Sequence, residues 1–236
     1  MLGWICYEEE GKKAKEHTVL GGAAVLILRV PRGKGPRGAL GARRAVRLLA
    51  RKRVRLAALP PDYPYADLFL RRGVGMPDTA ALYRACAAKI VHFVLRENGI
   101  SPRSAGVALL ACSASAALQR AAHELSGSVR YLTLRVPNGE KLARELRWEY
   151  GIAVQLLQEG EMLLADLAVS FDDARAAGCM LLPLADKRLT VSLCARIEGK
   201  NCTDTALLAA LVSADALKAE DICVERVIFP LSPNFP

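Results

Sequence analysis

Three glycines between an apolar segment and a basic segment have the spacing of a phosphate-binding turn. The stretch ILRVPRGKGPRGALGARRA, residues 27–45, contains the pattern G-x-G-x-x-G. Glycine lets backbone N–H groups approach a phosphate closely, and the N-terminus of a following helix favours negative charge. Six basic side chains add positive charge to the same segment. The candidate anion-binding residues are Gly33, Lys34, Gly35, Arg37, Gly38 and Arg43.

Two interpretations of this loop stay open. Asp62 follows the next predicted strand, 24 residues after Gly38, as the ribose-binding acid of a dinucleotide fingerprint does. Pro36, in contrast, removes one backbone N–H from the turn, because proline has none. The loop is therefore either an anion-binding site or a basic surface loop whose glycines match a loose pattern.

A second turn of small residues, 111–115, follows the apolar stretch VALLA. It fits the small-x-Ser-x-small pattern of a nucleophile elbow, in which Ser113 would be the nucleophile and Cys112 the alternative nucleophile. The three histidines of the chain all precede Asp166 and the acids at 172 and 173. A hydroxyl without a positioned base is a weak nucleophile. We therefore predict no catalytic residues here, and interpret the turn as one that lets a helix pack closely on a sheet.

Positive charge is concentrated in one segment. Between Arg29 and Arg55 there are 11 Lys and Arg residues and no acidic residue, whereas the rest of the chain carries 22 basic and 24 acidic residues. Arg43, Arg47 and Arg51 have the i, i+4, i+8 spacing of a ridge on a helix. Such a ridge is either a phosphate track for nucleic acid or a solvated helix face.

Composition narrows the class of protein. The 236 residues are 52% hydrophobic, which is typical of a globular chain with an aliphatic core. None of the seven cysteines forms a C-x-x-C pair and their number is odd, so we predict neither a disulfide framework nor a metal site. The apolar run 19–28 is too short to span a bilayer and is followed by charges, so we expect a cytoplasmic protein with no membrane association.

Alternating strands and helices predict an α/β fold with two Rossmann-like parallel-sheet units. Residues 1–18 have no clear period and are interpreted as a polar lead-in, with packing of Trp4, Ile5 and Cys6 against the body of the protein left open. Between two such units, one long helix from Pro77 to Asn98 would form a bridge. The predicted division is residues 1–76, 77–99 and 100–236. Predicted strands cover 23–30, 54–59, 106–111, 130–136, 152–157, 165–171, 190–197 and 222–229; predicted helices cover 39–53, 66–72, 77–98, 116–125, 140–150 and 204–217.

Residues 104–173 resemble the nicotinamide-dinucleotide domain of shikimate dehydrogenases and glutamyl-tRNA reductases. The resemblance lies in the order of VALLA, CSASAA, a helix, RYLTLRV, the helix EKLARELRWEYG, AVQLL and LLADLAVSFDD. It implies a dinucleotide at the first strand-to-helix turn, with NADP as the alternative cofactor. The implied cofactor-binding residues are Cys112, Ser113, Ala114, Ser115 and Arg135, the last of them near the 2′-phosphate.

The turn itself departs from the family pattern because it contains no glycine. A Cβ at the second position would crowd a diphosphate. An oxidoreductase would also need a Lys–Asp pair, for which Lys89 with Asp62 or Asp166 could be offered. The favoured hypothesis is therefore a Rossmann-like protein without recognisable catalytic residues and without a required cofactor, which binds a small anionic ligand or a protein partner. The alternatives are an NADP-dependent oxidoreductase of the shikimate dehydrogenase type and a nucleic-acid-associated protein using the Arg29–Arg55 segment.

Overall fold

The computed structural model describes residues 1–9, 12–158, 160–172 and 179–228. These residues form two compact units. The first unit contains Met1–Leu82 and Leu193–Ile222, and the second contains Tyr83–Ser192 and the described residues from Cys223 onward. The division drawn from sequence keeps residues 193–222 with the second unit, whereas in the structure they group with the first.

The first unit is built on a four-stranded sheet with the order β2-β3-β1-β4. Strand β1 is parallel to both β3 and β4, and β2 pairs antiparallel with β3. Gly21 and Gly22 join β2 to β3 with positive φ angles of 56° and 82°, which glycine adopts without strain. The strands are β1 (Leu2–Tyr7), β2 (Lys15–Leu20), β3 (Ala23–Val30) and β4 (Ala57–Ala58).

The interpretation of residues 1–18 as a polar lead-in is wrong, because β1 is an inner strand of this sheet. Ile5 is fully buried. A Cβ on Gly3 would lie 3.0 Å from side-chain atoms of both Leu49 and Ala57, so the strand packs closely on its neighbours. The sequence signal is weak because β1 has only six residues and β2 is an exposed edge strand with polar side chains.

Helix α1 (Pro36–Arg51) connects β3 to β4 and packs on the sheet with one apolar face. It begins three residues before the predicted start, since the fixed φ of proline suits the first helical position. Its buried residues are Gly38, Ala42, Ala45, Val46 and Leu49.

One long bridging helix is not found. Two helices, α3 (Thr79–Ala85) and α4 (Ala87–Glu97), occupy the predicted range and follow a short α2 (Ala66–Leu70). The chain departs from helical geometry at Cys86, where ψ is 13°. No glycine or proline marks this break, and the apolar periodicity continues across it, so the sequence pattern predicted one continuous helix.

The second unit is built on a five-stranded parallel sheet with the order β7-β6-β5-β8-β9. The strand order reverses at β5, as in Rossmann-like folds. The α/β class with parallel sheets is therefore confirmed. No strand was predicted at β9, which has only four residues. The elements are β5 (Gly106–Leu110), α5 (Ala116–Ser126), β6 (Tyr131–Arg135), α6 (Glu140–Tyr150), β7 (Ala153–Leu156), β8 (Leu167–Ser170) and β9 (Met180–Pro183).

The remaining elements are β10 (Thr190–Ile197), β11 (Lys200–Cys202), α7 (Thr205–Ser213) and β12 (Ile222–Ile228). They include a three-stranded sheet with the order β11-β10-β12. Helix α7 packs against β1 and β4 of the first unit. Asp204 begins this helix by accepting the Leu207 N–H at 3.0 Å, and its other oxygen accepts the Trp4 indole N–H at 2.9 Å. Within the described ranges, no helix has the length and apolar character needed to cross a membrane.

Candidate functional site

Three loops of the first unit meet at one edge of its sheet. Because β1, β3 and β4 run parallel, their carboxyl ends lie at the same edge. The chain leaves β1 at Tyr7, leaves β3 into the glycine-rich loop 31–35, and leaves β4 into the loop 59–65. Ligands of open α/β sheets bind at the carboxyl ends of the strands. We call this place the carboxyl-edge site.

Two of the three pattern glycines are required by the shape of the loop. Gly33 has a φ of 106°, which side chains rarely permit. A Cβ on Gly38 would lie 2.4 Å from the Gly33 carbonyl oxygen, so the loop folds directly onto the first turn of α1. A Cβ on Gly35 would meet no atom within 4 Å, and its φ of −168° is open to any residue.

The N-terminus of α1 has no side-chain cap. Gly35 is the N-cap residue, and no side chain accepts a hydrogen bond from the first turn. Because the first N–H groups of a helix have no acceptor within it, that of the exposed Arg37 is available to a ligand, whereas Gly38 is buried. The Gly35 N–H is held by the Tyr65 hydroxyl at 2.9 Å, and this hydroxyl donates to the Gly35 carbonyl at 3.0 Å.

An aromatic cluster lies behind the loop. The Tyr63 ring is 6.3 Å from the Tyr7 ring, 5.8 Å from the Tyr65 ring and 5.9 Å from the Phe69 ring, centroid to centroid. Tyr63 is only 6% exposed, and its hydroxyl has no hydrogen-bond partner among the described residues. Burial raises the pKa of this phenol to about 12, with smaller contributions from the phenols of Tyr7 and Tyr65. Tyr63 therefore belongs to the same aromatic cluster as Tyr7 and Tyr65, and its hydroxyl is buried.

Basic side chains surround this edge. The Arg32 guanidinium lies 4.9 Å from the centre of the Tyr7 ring, in cation–π contact. Lys34 and Arg37 are exposed, and neither forms a salt bridge with a carboxylate of the described residues. Arg43 lies about 10 Å further along α1 at 1.5 Å per residue. The carboxyl-edge site thus contains five of the six predicted anion-binding residues, and Arg43 belongs to the exposed side of the helix.

Alkaline unfolding gives a first test of the buried phenol. Raising the pH from 10 to 12 should lower the free energy of unfolding more in the wild type than in Tyr63→Phe. Tyr63 stays protonated in the folded state up to about 12, whereas an unfolded tyrosine titrates near 10. The contribution of the Tyr63 phenol to the free energy of unfolding is therefore complete below pH 10 and is lost as the pH rises through 12. Denaturant titrations at pH 9, 10, 11 and 12 measure this difference, and parallel curves for the two proteins would contradict it.

The glycine-free turn of the second unit is also at a carboxyl edge, between β5 and α5. Its Cys112 N–H donates to the Asp172 carboxylate at 2.5 Å, and Asp172 follows β8, the neighbouring strand. Ser115 caps α5 by accepting the Leu118 N–H at 3.3 Å. A carboxylate therefore occupies a position at which a diphosphate would bind, and its charge repels one. Cys112 and Ser113 are exposed, Ala114 is half-buried, and Gln119 donates to the Ala114 carbonyl.

Arg135 lies beside this turn, since its carbonyl accepts the Ala111 N–H at 3.1 Å, whereas Asp166 does not. The Arg135 guanidinium donates to the Glu161 carbonyl at 2.6 Å, and its Nε is buried without a partner in the described residues. Asp166 precedes β8 and accepts the Gly106 N–H at 2.7 Å, at the amino edge of the sheet. That is the opposite edge from the Cys112 turn. Asp166 therefore acts as a structural acceptor at the start of β5.

The structure shows a Ser–His pair that sequence spacing did not reveal. Ser128 Oγ lies 3.1 Å from His92 Nε2 and also donates to the Leu125 carbonyl at 3.0 Å. Ser128 has one hydroxyl proton, and the Leu125 carbonyl oxygen competes with His92 Nε2 for it. Burial, helped by the charge of Arg96, lowers the pKa of His92. The pair joins α4 to the end of α5.

An open cleft of about 880 Å³ lies on one face of the second sheet. In the described residues between β7 and β8 there is no helix, and a segment containing the buried Leu163 covers part of this face. The absence of a helical pattern at 157–166 is the sequence signal that could have indicated an open face. Polar lining residues are Ser104, Tyr131, Thr133, Arg147, Gln155 and Asp166.

All seven cysteines are thiols. Burial raises the pKa of Cys6 to about 12 and that of Cys86 to about 11, so neither is a reactive thiolate. Among the residues with described positions, no group of three or more His, Cys, Asp or Glu side chains could hold a metal ion.

The sequence matches no protein-family model and is not significantly similar to any curated protein. Solved structures to which this structure is similar include three enzymes. L-tryptophan dehydrogenase from Nostoc punctiforme is 15% identical over 63% of this chain and 44% of its own, with a TM-score of 0.29. Ornithine carbamoyltransferase from Pyrococcus furiosus is 13% identical over 72% and 58%, with a TM-score of 0.30. Shikimate 5-dehydrogenase from Listeria monocytogenes is 11% identical over 62% and 57%, with a TM-score of 0.28.

The matched part of this chain spans about half the length of each of these enzymes. At these identities and TM-scores the likeness concerns the fold class alone.

Proposed function

We propose that the first unit binds a small phosphate-bearing ligand at the carboxyl-edge site, and that the protein acts by binding rather than by catalysis. The observation that carries this proposal is the buried Tyr63 hydroxyl without a partner in the described residues, in a ring cluster whose Tyr65 contacts the uncapped N-terminus of α1. An unpaired buried hydroxyl is unfavourable unless something else uses it. An anion at this edge would supply the missing acceptor.

The groups at the edge suit a phosphate. The Arg37 N–H group lies at the positive end of the helix dipole. Arg32 can donate in the plane of its guanidinium while its face stays on the Tyr7 ring. In this proposal the Tyr65 hydroxyl occupies the position of a phosphate oxygen, because it accepts the hydrogen bond of the Gly35 N–H that the phosphate would accept. Displacing it would open a path to Tyr63.

For the second unit we do not propose a ligand site at the Cys112 turn. Its turn N–H is already bound to the Asp172 carboxylate, so the geometry favours a scaffold over a dinucleotide site. An NADP-dependent oxidoreductase is therefore not the function proposed. We do not propose hydrolysis at the Ser128–His92 pair, since a backbone carbonyl competes with the imidazole for the serine proton.

Tyr63→Phe tests the proposal with two readouts of opposite sign. Without ligand, the variant should be more stable than the wild type, because removing an unpaired buried hydroxyl relieves a penalty of about 1–3 kcal/mol. With inorganic phosphate, binding should weaken by roughly tenfold or more, because a hydrogen bond to a charged group is worth about 1.5–3 kcal/mol. Thermal melts and isothermal titration calorimetry measure the two effects.

Lys34→Ala and Lys187→Ala provide matched controls for charge. Both lysines are exposed, but Lys34 is in the loop and Lys187 is in the second unit. Phosphate affinity should fall in Lys34→Ala and stay unchanged in Lys187→Ala. Equal effects of the two variants, or unchanged phosphate binding by Tyr63→Phe, would overturn the proposal.

A further inference from the structure

The exposed side of α1 carries four arginines, Arg43, Arg44, Arg47 and Arg51, which we call the arginine ridge. All four are exposed, because the opposite face of the helix is buried on the sheet. None of them forms a salt bridge with a carboxylate in the described part of the chain. Of the 11 basic residues from Arg29 to Arg55, Arg29 alone forms a salt bridge with a carboxylate of the described residues, with Glu16 at 3.1 Å.

This arrangement works against the stability of the helix. Like charges spaced i, i+4 repel each other, as Arg43, Arg47 and Arg51 do. The chain places no acidic residue between Arg29 and Arg55 that could relieve the repulsion. A compensating anionic partner is therefore the simplest physical reason for the ridge.

The length of the ridge indicates the kind of anion. At 1.5 Å per residue, Arg43, Arg47 and Arg51 are spaced about 6 Å apart along a line of about 12 Å. One phosphate cannot contact all three, whereas a repeating phosphate backbone can. Lys52, Arg53 and Arg55 are also exposed and continue the positive surface beyond the end of the helix.

Two further observations favour the backbone of a nucleic-acid duplex. The apolar face of α1, with Val46 and Leu49, is buried on its own sheet, and Leu40 is the one large apolar side chain that this helix exposes, so it presents no apolar face to a bilayer. The helix also contains no aromatic residue on which unpaired bases could stack. Arginine forks, in contrast, match phosphate oxygens well.

We propose that the arginine ridge binds the phosphate backbone of double-stranded nucleic acid without reading its sequence. This proposal is independent of the carboxyl-edge site, because Tyr63 and Tyr65 take no part in it. Binding should depend steeply on salt, since each neutralised phosphate releases counterions. Four ridge contacts predict a slope of log K against log salt concentration of about −3.6.

The test measures binding of the full chain to a fluorescent 20-base-pair DNA duplex between 50 and 200 mM NaCl. In the double variant Arg47→Ala/Arg51→Ala, the slope should become shallower by about 1.8, with roughly 100-fold weaker binding at 50 mM salt. The control Arg120→Ala/Arg144→Ala removes the same charge from exposed positions of α5 and α6, and should leave the slope unchanged. Tyr63→Phe should also leave it unchanged.

Three outcomes would overturn the proposal. The wild type could fail to bind the duplex, or the control could lose as much of the slope as the ridge variant, which would indicate diffuse attraction by the net charge. In a third outcome, the protein would bind vesicles of phosphatidylserine and phosphatidylcholine through the arginine ridge and would not bind the duplex. Unchanged circular dichroism spectra verify that the variants are folded. A duplex RNA of the same length distinguishes which nucleic acid is preferred.

Discussion

Replacing Gly38 with alanine should destabilise the protein and reduce phosphate binding by at least tenfold. Alanine is the better helix former by about 1 kcal/mol, so helix propensity alone predicts stabilisation at this position. In the structure, however, the new Cβ would lie 2.4 Å from the Gly33 carbonyl oxygen and 3.1 Å from the Tyr65 ring. The loop must therefore move away from α1, at a cost of about 1–3 kcal/mol. Denaturant unfolding and phosphate titration measure the two effects.

Gly35→Ala is the matched control in the same loop. Its Cβ would meet no atom within 4 Å, and its backbone conformation accepts any residue. We expect only the weaker N-cap preference of alanine, about 1 kcal/mol, and phosphate affinity within about twofold of the wild type. If Gly38→Ala stabilised the protein, or if the two variants behaved alike, the close approach of the loop to α1 would be refuted.

Phe69→Ala should be among the most destabilising substitutions in the first unit. Phe69 is fully buried on α2 and forms the wall behind the Tyr63 ring. Truncating a buried phenylalanine typically costs about 3–5 kcal/mol, from lost burial and the cavity left behind. At about 2–4 °C per kcal/mol, the melting temperature should fall by roughly 6–20 °C. Calorimetry should assign the loss to the transition of the first unit if the two units unfold separately.

The neighbouring Leu70 supplies the comparison for this prediction. It lies on the same helix but is 49% exposed, so Leu70→Ala should cost less than about 1 kcal/mol. A similar loss for both variants would mean that the instability comes from α2 itself and not from the aromatic cluster. Phe69→Ala should also weaken phosphate binding, because Tyr63 loses the contact that fixes its ring.

These predictions connect stability to the proposed site. Tyr63 is packed by Tyr7, Tyr65 and Phe69, while its hydroxyl has no partner in the described residues. The same side chain thus contributes apolar burial to the core and an unsatisfied polar group to the carboxyl edge. A stability penalty retained next to basic side chains is what a ligand-binding position requires.

Local patterns in the sequence were sufficient for several elements. The continuous apolar run 23–30 predicted β3, and the apolar periodicity between a turn and Gly151 predicted α6, both with the observed bounds. The glycine-rich loop was placed correctly between a strand and a helix, because strand, turn and helix are each signalled by neighbouring residues. The break at Cys86 was missed, since neither composition nor periodicity changes there.

What the sequence determined by itself was the α/β class, most of its strands and helices, and the concentration of basic residues between Arg29 and Arg55. Only the tertiary structure decided which residues that are distant in sequence lie close together in space. Parallel pairing of β1 with β3 and β4 brings Tyr7, the glycine loop and Tyr63 to one edge, although up to 56 residues separate them along the chain. Parallel pairing of β5 with β8 likewise places Asp172 on the Cys112 turn, across 60 residues. Such contacts arise from strand order and register, which local periodicity does not encode.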